Sequence, residues 1–392
     1  MNRRIYLDNS ATTEISEGAL QKYLEVSREA WGNPSSLHSF GLLAEKEINA
    51  AREVILSSLG ATSDSELVFT SSGSEANNLA IVGRALSKDR YRRGAKIITT
   101  LGEHASVTEP IKRAAALGLK VAYIPTRGGK VDTDALISEL TGDVVLVSLM
   151  MVNNETGALY DVSAVSRIVK ARCPEAYIHV DATQSYMKVA FTKRSIGADM
   201  ITLSSHKIAG PKGVGALLID RRVIKERGLS PIILGGGQEG GLRSGTENVP
   251  GIAAFGEAVR LAMLSRDSDI KRMEALRSYL VERIGGEAGL SEISVTNPES
   301  HAPHILNVTL PKIKSETMLH YLSSEGIFVS SGSACSSNSA HTSSALVAYG
   351  RSEAEADTSI RISFSQKSTE DEVDALVGAL VTGLARLSRI RK

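Results

Sequence analysis

Tyr177-Ile178-His179-Val180 followed by Asp181-Ala182-Thr183-Gln184, and Met200-Ile201-Thr202-Leu203 followed by Ser204-Ser205-His206-Lys207, decide the fold. Each is a short run rich in β-branched residues that stops at a cluster of polar groups. The pattern continues in both directions. Leu67–Thr70, Lys96–Thr100, Val121–Ile124 and Val144–Met150 precede these runs, and Ala216–Ile219 follows them. Amphipathic stretches at Ala105–Leu117, Thr133–Leu140 and Val162–Ala171 lie between several of them. Strand–helix alternation predicts an α/β domain with a mostly parallel, seven-stranded sheet covered on both faces. The short connection into Ala216–Ile219 predicts one antiparallel pairing.

Beyond this block the rhythm changes. The Gly-rich segment Leu234–Gly245 leads into two predicted helices, Ile252–Leu264 and Ile270–Ile284. Strands at His304–Leu310, Gly326–Val329 and Ser359–Ser365 and a final helix at Glu370–Leu387 read as a smaller α+β domain. The expected division is a large domain at 15–255 and a small domain of 1–14 with 256–392. Ser330–Ser344, dominated by Ser, Ala and Gly, reads as a mobile loop.

Composition narrows the function classes. With 392 residues, 42% hydrophobic and 23% charged, the chain has ordinary globular usage. Lys and Arg total 45 against 44 for Asp and Glu, so no charge excess points to nucleic acid or a membrane surface. Cys173 and Cys335 are too few for a disulfide scaffold and form no metal-binding pair, so no metal is expected. No apolar run suits a leader peptide or a membrane span, and a cytoplasmic location is expected.

In an open parallel sheet, ligands bind beyond the carboxyl ends of the strands. Four successive ends deliver Gly102-Glu103-His104, Asn153-Asn154-Glu155, Asp181 to Gln184, and Ser204 to Lys207. The turn Ser71-Ser72-Gly73-Ser74-Glu75 opens a helix. It is either a plain cap or an anion cradle of backbone N–H groups. No P-loop or dinucleotide fingerprint is present in this turn to claim the anion. Lys207, just past an apolar strand, is placed to act as a Schiff-base nucleophile. Asp181, one strand earlier, is the carboxylate that a pyridinium nitrogen requires. Cradle, lysine and aspartate together describe a pyridoxal-phosphate site.

The sequence resembles a cysteine desulfurase of the class-V aminotransferase family, of the NifS/IscS-like group. The matching segments run from Tyr6 to Thr13 as far as Ser359-Ile360-Arg361. They include Gly32-Asn33-Pro34-Ser35, Val152 to Gly157, Gly235 to Glu239 and Arg243 to Asn248. Ser330-Ser331-Gly332-Ser333-Ala334-Cys335-Ser336-Ser337 is the most discriminating of them. The resemblance implies the type I fold of pyridoxal-phosphate-dependent transferases, and a homodimer with active sites near the subunit interface. It implies that Lys207 bears the cofactor, that Asp181 pairs with its ring nitrogen and that His104 stacks on the ring and shuttles protons. Asn154 and Gln184 would meet the ring hydroxyl. Gly73, Ser74, Ser204 and His206 would hold the phosphate, with Thr246 reaching in from the other subunit. Arg361, assisted by Asn33, would clamp the substrate carboxylate. Cys335 would be the sulfur-accepting nucleophile.

The implied reaction converts L-cysteine to L-alanine and passes sulfur from a Cys335 persulfide to an acceptor such as an iron–sulfur scaffold. The alternatives are a selenocysteine lyase, another pyridoxal-phosphate-dependent C–S lyase, or a non-catalytic sulfur-assembly scaffold. Gly240 and His341-Thr342 depart from the family pattern.

Overall fold

Thirteen strands, numbered along the chain, carry the architecture of the computed structural model, which describes residues 4–61, 63–87, 94–331 and 343–387. They are β1 (Ile5–Tyr6), β2 (Ser65–Thr70), β3 (Lys96–Thr100), β4 (Lys120–Ile124), β5 (Val144–Met150), β6 (Tyr177–Asp181), β7 (Met200–Ser204) and β8 (Gly215–Asp220), then β9 (Ser294–Thr296), β10 (Ile305–Thr309), β11 (Ile327–Phe328), β12 (Ser330–Ser331) and β13 (Ser359–Ser363). Seven form the main sheet, in the order β2-β8-β7-β6-β5-β3-β4. Every residue of β3, β5, β6 and β7 is buried. Helices cover both faces, and these strands are therefore nearly continuous apolar runs with no alternation. Edge strand β4 does alternate, with exposed Lys120 and Tyr123.

β8 runs antiparallel to β7, as its short connection requires, but it also pairs antiparallel with β2. Two antiparallel pairings therefore replace the single one expected. The second joins residues about 150 positions apart, which no local pattern announces.

The two helices expected after the Gly-rich segment are one, Val249–Gly286, 38 residues long. The polar stretch around Arg266 to Asp269 holds no Pro or Gly, so it lowers helix propensity without stopping the helix. Ile252, Phe255 and Val259 pack into the core beneath the main sheet. Met273, Leu276, Leu280 and Ile284 pack into a second core with Ile5 and Leu7. The step from residue 255 to 256 thus lies inside a continuous helix.

The second core sits on the four-stranded antiparallel sheet β12-β13-β10-β9 and on the parallel pair β1-β11. The strand expected at Gly326–Val329 is the two-residue β11, and a second short strand, β12, follows Val329 in the other sheet. Ser330 and Ser331 are therefore strand residues, facing Arg361 and Ile360, and Ser344 opens the helix Ser344–Tyr349. The expected loop is shorter at both ends than its composition suggests. Residues 332–342, including Cys335, His341 and Thr342, lie outside the described residues. Among the described residues no helix is long and apolar enough to cross a membrane.

Candidate active site

The carboxyl ends of β5, β6 and β7 open into a cavity of about 500 Å³, closed by the N-terminus of the helix Gly73–Leu86 and by β12 and β13. It is lined by Gly73, Ser74, His104, Asn154, Asp181, Gln184, Ser204, His206, Lys207 and Arg361. The sequence separates these residues by up to 288 positions, and the sheet topology brings them together.

Asp181 is buried and held on both oxygens. Asn77 Nδ2 donates to one at 2.8 Å and the Thr183 N–H to the other at 2.9 Å. The same Asn77 amide donates to Ser106 Oγ at 2.9 Å, which lies 2.8 Å from His104 Nδ1. The Ser106 N–H also donates to Nδ1, as His104 caps the helix Ala105–Ala116. Burial lowers the His104 pKa, with the positive charges of Lys207 and Arg361 adding to it, against the opposing pull of Asp181. The ring is therefore neutral near pH 7, and the donors on Nδ1 leave its proton on Nε2.

Gly73 begins its helix with N–H groups that have no partner within the helix, and Ser72 caps it through the Glu75 N–H. A Cβ at Gly73 would meet Thr183 Oγ1 at 3.1 Å and the Ser204 Cβ at 3.3 Å, so these elements close tightly around the turn. His206, pushed down to about 4 by burial and by Lys207, Lys212 and Lys188, is neutral at the same end. Lys207 Nζ donates to the Ser10 and Ala11 carbonyls at 2.5 and 2.9 Å. Arg361 donates to Asp8 Oδ1 at 2.8 Å and to the Asn154 carbonyl at 2.9 Å.

Two expected residues are not brought to this cavity by the single chain. Asn33 is exposed and its side chain caps its own turn through the Ser35 N–H. Thr246 is also exposed, at the end of a Gly-rich segment fastened to the body of the protein. Glu239 fastens it, accepting from the Phe69 N–H at 3.0 Å and pairing with Arg52 at 3.1 Å. Gly240 takes a φ of 63°, where a side chain is strained even with open space beside it, and this gives its departure from the family pattern a backbone reason.

A model of the aminotransferase class-V family matches residues 5–376. The chain belongs to that family. A cysteine desulfurase IscS of Dictyoglomus turgidum is 37% identical over 392 residues, spanning 100% of this chain and 97% of its own. Among solved structures, a NifS-like protein superposes with a TM-score of 0.89 at 36% identity, covering 98% of this chain and 100% of that one. SspA in complex with cysteine superposes with a TM-score of 0.77 at 30% identity, covering 93% of this chain and 100% of its own.

Sequence reasoning missed Asn77, Ser106 and Asp8 in this member of the class-V family. Asn77 is one helical turn beyond Gly73, so its burial on the sheet side was a usable signal. Asp8 acts through Arg361, 353 residues away, and Ser106 joins its neighbour His104 to Asn77, 29 residues away, so neither role is visible locally.

Glu103 is a further buried group beside the site. Its Oε1 accepts from Thr100 Oγ1 and the Met150 N–H, while Oε2 has no partner among the described residues. Burial pushes its pKa up to about 8. An unfolded carboxyl ionises near 4.5, so between about 4.5 and about 8 rising pH favours the unfolded chain. Glu103→Gln keeps the acceptor and removes this titration. The variant is expected to gain Tm over wild type as pH rises through that window, and to match it at lower pH. Thermal melts at several pH values check this.

Proposed function

We propose that this protein is a pyridoxal-phosphate-dependent L-cysteine desulfurase. It converts L-cysteine to L-alanine and carries the sulfur as a persulfide on Cys335 to an acceptor protein, such as an iron–sulfur scaffold. The observation that carries the reading is Asp181 and Lys207 on neighbouring strand ends, sharing one cavity with the helix N-terminus at Gly73. The names of the relatives support the substrate.

The residues present fit the cofactor. Gln184 Oε1 and Arg361 Nε are buried at the cavity without partners among the described residues, and the Gly73 turn presents unpaired N–H groups suited to a phosphate. Gly73, Ser74, Ser204 and His206 would hold the phosphate, Asp181 the ring nitrogen, Asn154 and Gln184 the ring hydroxyl, and His104 the ring face. When bound, the cofactor serves as an electron sink for a carbanion at the substrate Cα.

The protein's own groups supply the rest. Asp8 and the Asn154 carbonyl orient the Arg361 guanidinium toward the substrate carboxylate, with Asn33 assisting. Lys207, held by two carbonyls, presents the amine that bears the cofactor and can move a proton at Cα. Neutral His104 presents Nε2–H toward the substrate. The Cys335 thiolate would attack the substrate sulfur, forming the S–S bond as the Cβ–S bond breaks. The electron pair of that bond stays with the carbon fragment, which takes up protons at Cβ and Cα to leave as alanine.

We assign the large domain to 15–255 and the small domain to 1–14 with 256–392, and place the protein in the cytoplasm, where a thiol nucleophile stays reduced. A homodimer is supported by apolar side chains standing in water, among them Leu37, Leu264 and Leu234 at 96%, 76% and 79% exposure. In it Thr246 would reach the partner's phosphate. Mixing inactive Lys207→Ala chains with inactive Thr246→Ala chains is then expected to restore activity, because each hybrid dimer contains one site with both residues. No recovery after verified subunit exchange would place Thr246 in its own chain's site.

Purified protein given L-cysteine and a reductant is expected to release alanine and sulfide in equal amounts. Pyruvate and ammonia in place of alanine would instead establish a C–S lyase.

A further inference from the structure

Lys188 is a buried amine that the reading above leaves without a role. It lies on the turn after β6 at 7% exposure, and its Nζ has no hydrogen-bond partner among the described residues. Lysines are almost never buried without a carboxylate or a route to water, because desolvating the ammonium is costly. Met187, just before it, has a φ of 62°, so the turn that presents Lys188 is itself held in a strained conformation.

Lys188 shares a second cavity, of about 110 Å³, with Lys207. Met187, Ala258 and Phe364 form much of its wall. Lys207 also lines the main cavity, so it stands between the two. The smaller one has room for three to four waters at roughly 30 Å³ each.

The two amines are satisfied differently. Lys207 donates to two carbonyls. Lys188 has no such acceptor, and burial, then the charges of Lys207 and Arg361, push its pKa down to about 7. The groups facing it are mostly basic. Besides Lys207 and Arg361, His304 and His206 feel its charge, and both are lowered by burial first. Arg361 is already paired with Asp8, and Asp269, on the cavity wall, accepts from Ser265 at 2.6 Å.

We propose that Lys188 acts through Lys207: sharing its cavity and with no hydrogen-bond partner on its own Nζ among the described residues, it accepts the proton that Lys207 must lose before its nitrogen can attack. The N–H electron pair stays on Lys207 Nζ, and the proton passes through water in the shared cavity to Lys188 Nζ. Lys188 touches neither substrate nor cofactor and is a positioning residue for the reaction at Lys207. The inference rests on Lys207 being the cofactor-bearing lysine.

Cofactor loading tests it without any turnover. The full chain, stripped of cofactor, is mixed with pyridoxal phosphate at a series of pH values, and the visible absorbance of the bound form is followed in time. In Lys188→Met the midpoint of the pH–rate profile is expected to rise by about one unit, and loading near neutral pH to slow about tenfold. Methionine suits the buried site, and circular dichroism checks the fold; Lys188→Gln serves if the methionine variant does not fold. An unchanged midpoint in a folded variant overturns the inference. Borohydride reduction of the loaded wild type, followed by peptide mass mapping, separates the two readings. A label away from Lys207 removes the underlying assignment, whereas a label on Lys207 with an unchanged midpoint removes only the role of Lys188.

Discussion

Lys207→Ala is expected to give a folded, colourless protein that releases no measurable alanine from L-cysteine. The amine at this position cannot be supplied by a neighbour. Lys188, the other lysine of the shared cavity, is lodged behind the site, and Lys212 does not line the main cavity. Losing a covalent attachment removes a whole reaction path, so the expected drop is about a thousandfold or more, on the order of 4 kcal/mol in barrier. The fold has other ties across the same junction. The Thr13 N–H donates to the His206 carbonyl, the Ala209 N–H donates to Thr13 Oγ1, and Gln184 holds the Ser10 carbonyl, all independently of the lysine side chain. A normal circular dichroism spectrum and melting profile should therefore accompany the loss. Alanine release at the wild-type rate from the purified variant would remove Lys207 from the site.

The readable parts of this molecule are those whose cause is local. Strands β3, β5, β6 and β7 could be placed within a residue or two because burial on both faces makes them nearly continuous apolar runs. The polar residues at their ends mark the functional rim for the same reason, since only there does the chain emerge from the sheet. What eluded sequence reading depends on partners distant in the chain. The pairing of β2 with β8 and the division of 326–331 between two sheets are of this kind. The site shows the same division. Asp181 and Lys207 follow from strand ends, whereas the relay from Asp181 through Asn77 and Ser106 to His104 needs three segments to meet. Lys188 lay in plain view seven residues after Asp181, but a lysine in a turn reads as a surface charge until its burial is known.

Cys335→Ala is expected to load cofactor like wild type, bind L-cysteine and release almost no alanine. The cavity-lining groups assigned to cofactor and carboxylate lie on or just past β3, β5, β6 and β7, on β13 and on the helix at Gly73, none of which contains residue 335. Without the thiolate, the substrate sulfur has no acceptor, and the path through a persulfide is closed. The expected loss is about a hundredfold or more, on the order of 3 kcal/mol in barrier. Cys173 cannot stand in. It is buried, its Sγ points to the Thr141 carbonyl at 3.3 Å, and burial raises its pKa away from the reactive thiolate range. Destabilisation is a poor alternative explanation, because the neighbours of Cys335 are Ser, Gly and Ala with no apolar periodicity, and alanine suits that company. The measurement pairs a cofactor absorbance spectrum, with and without L-cysteine, with quantified alanine. A desulfurase loses the product and keeps the spectral response. A lyase that needs no thiol keeps both, so near wild-type turnover with an intact spectrum would transfer the assignment to a C–S lyase.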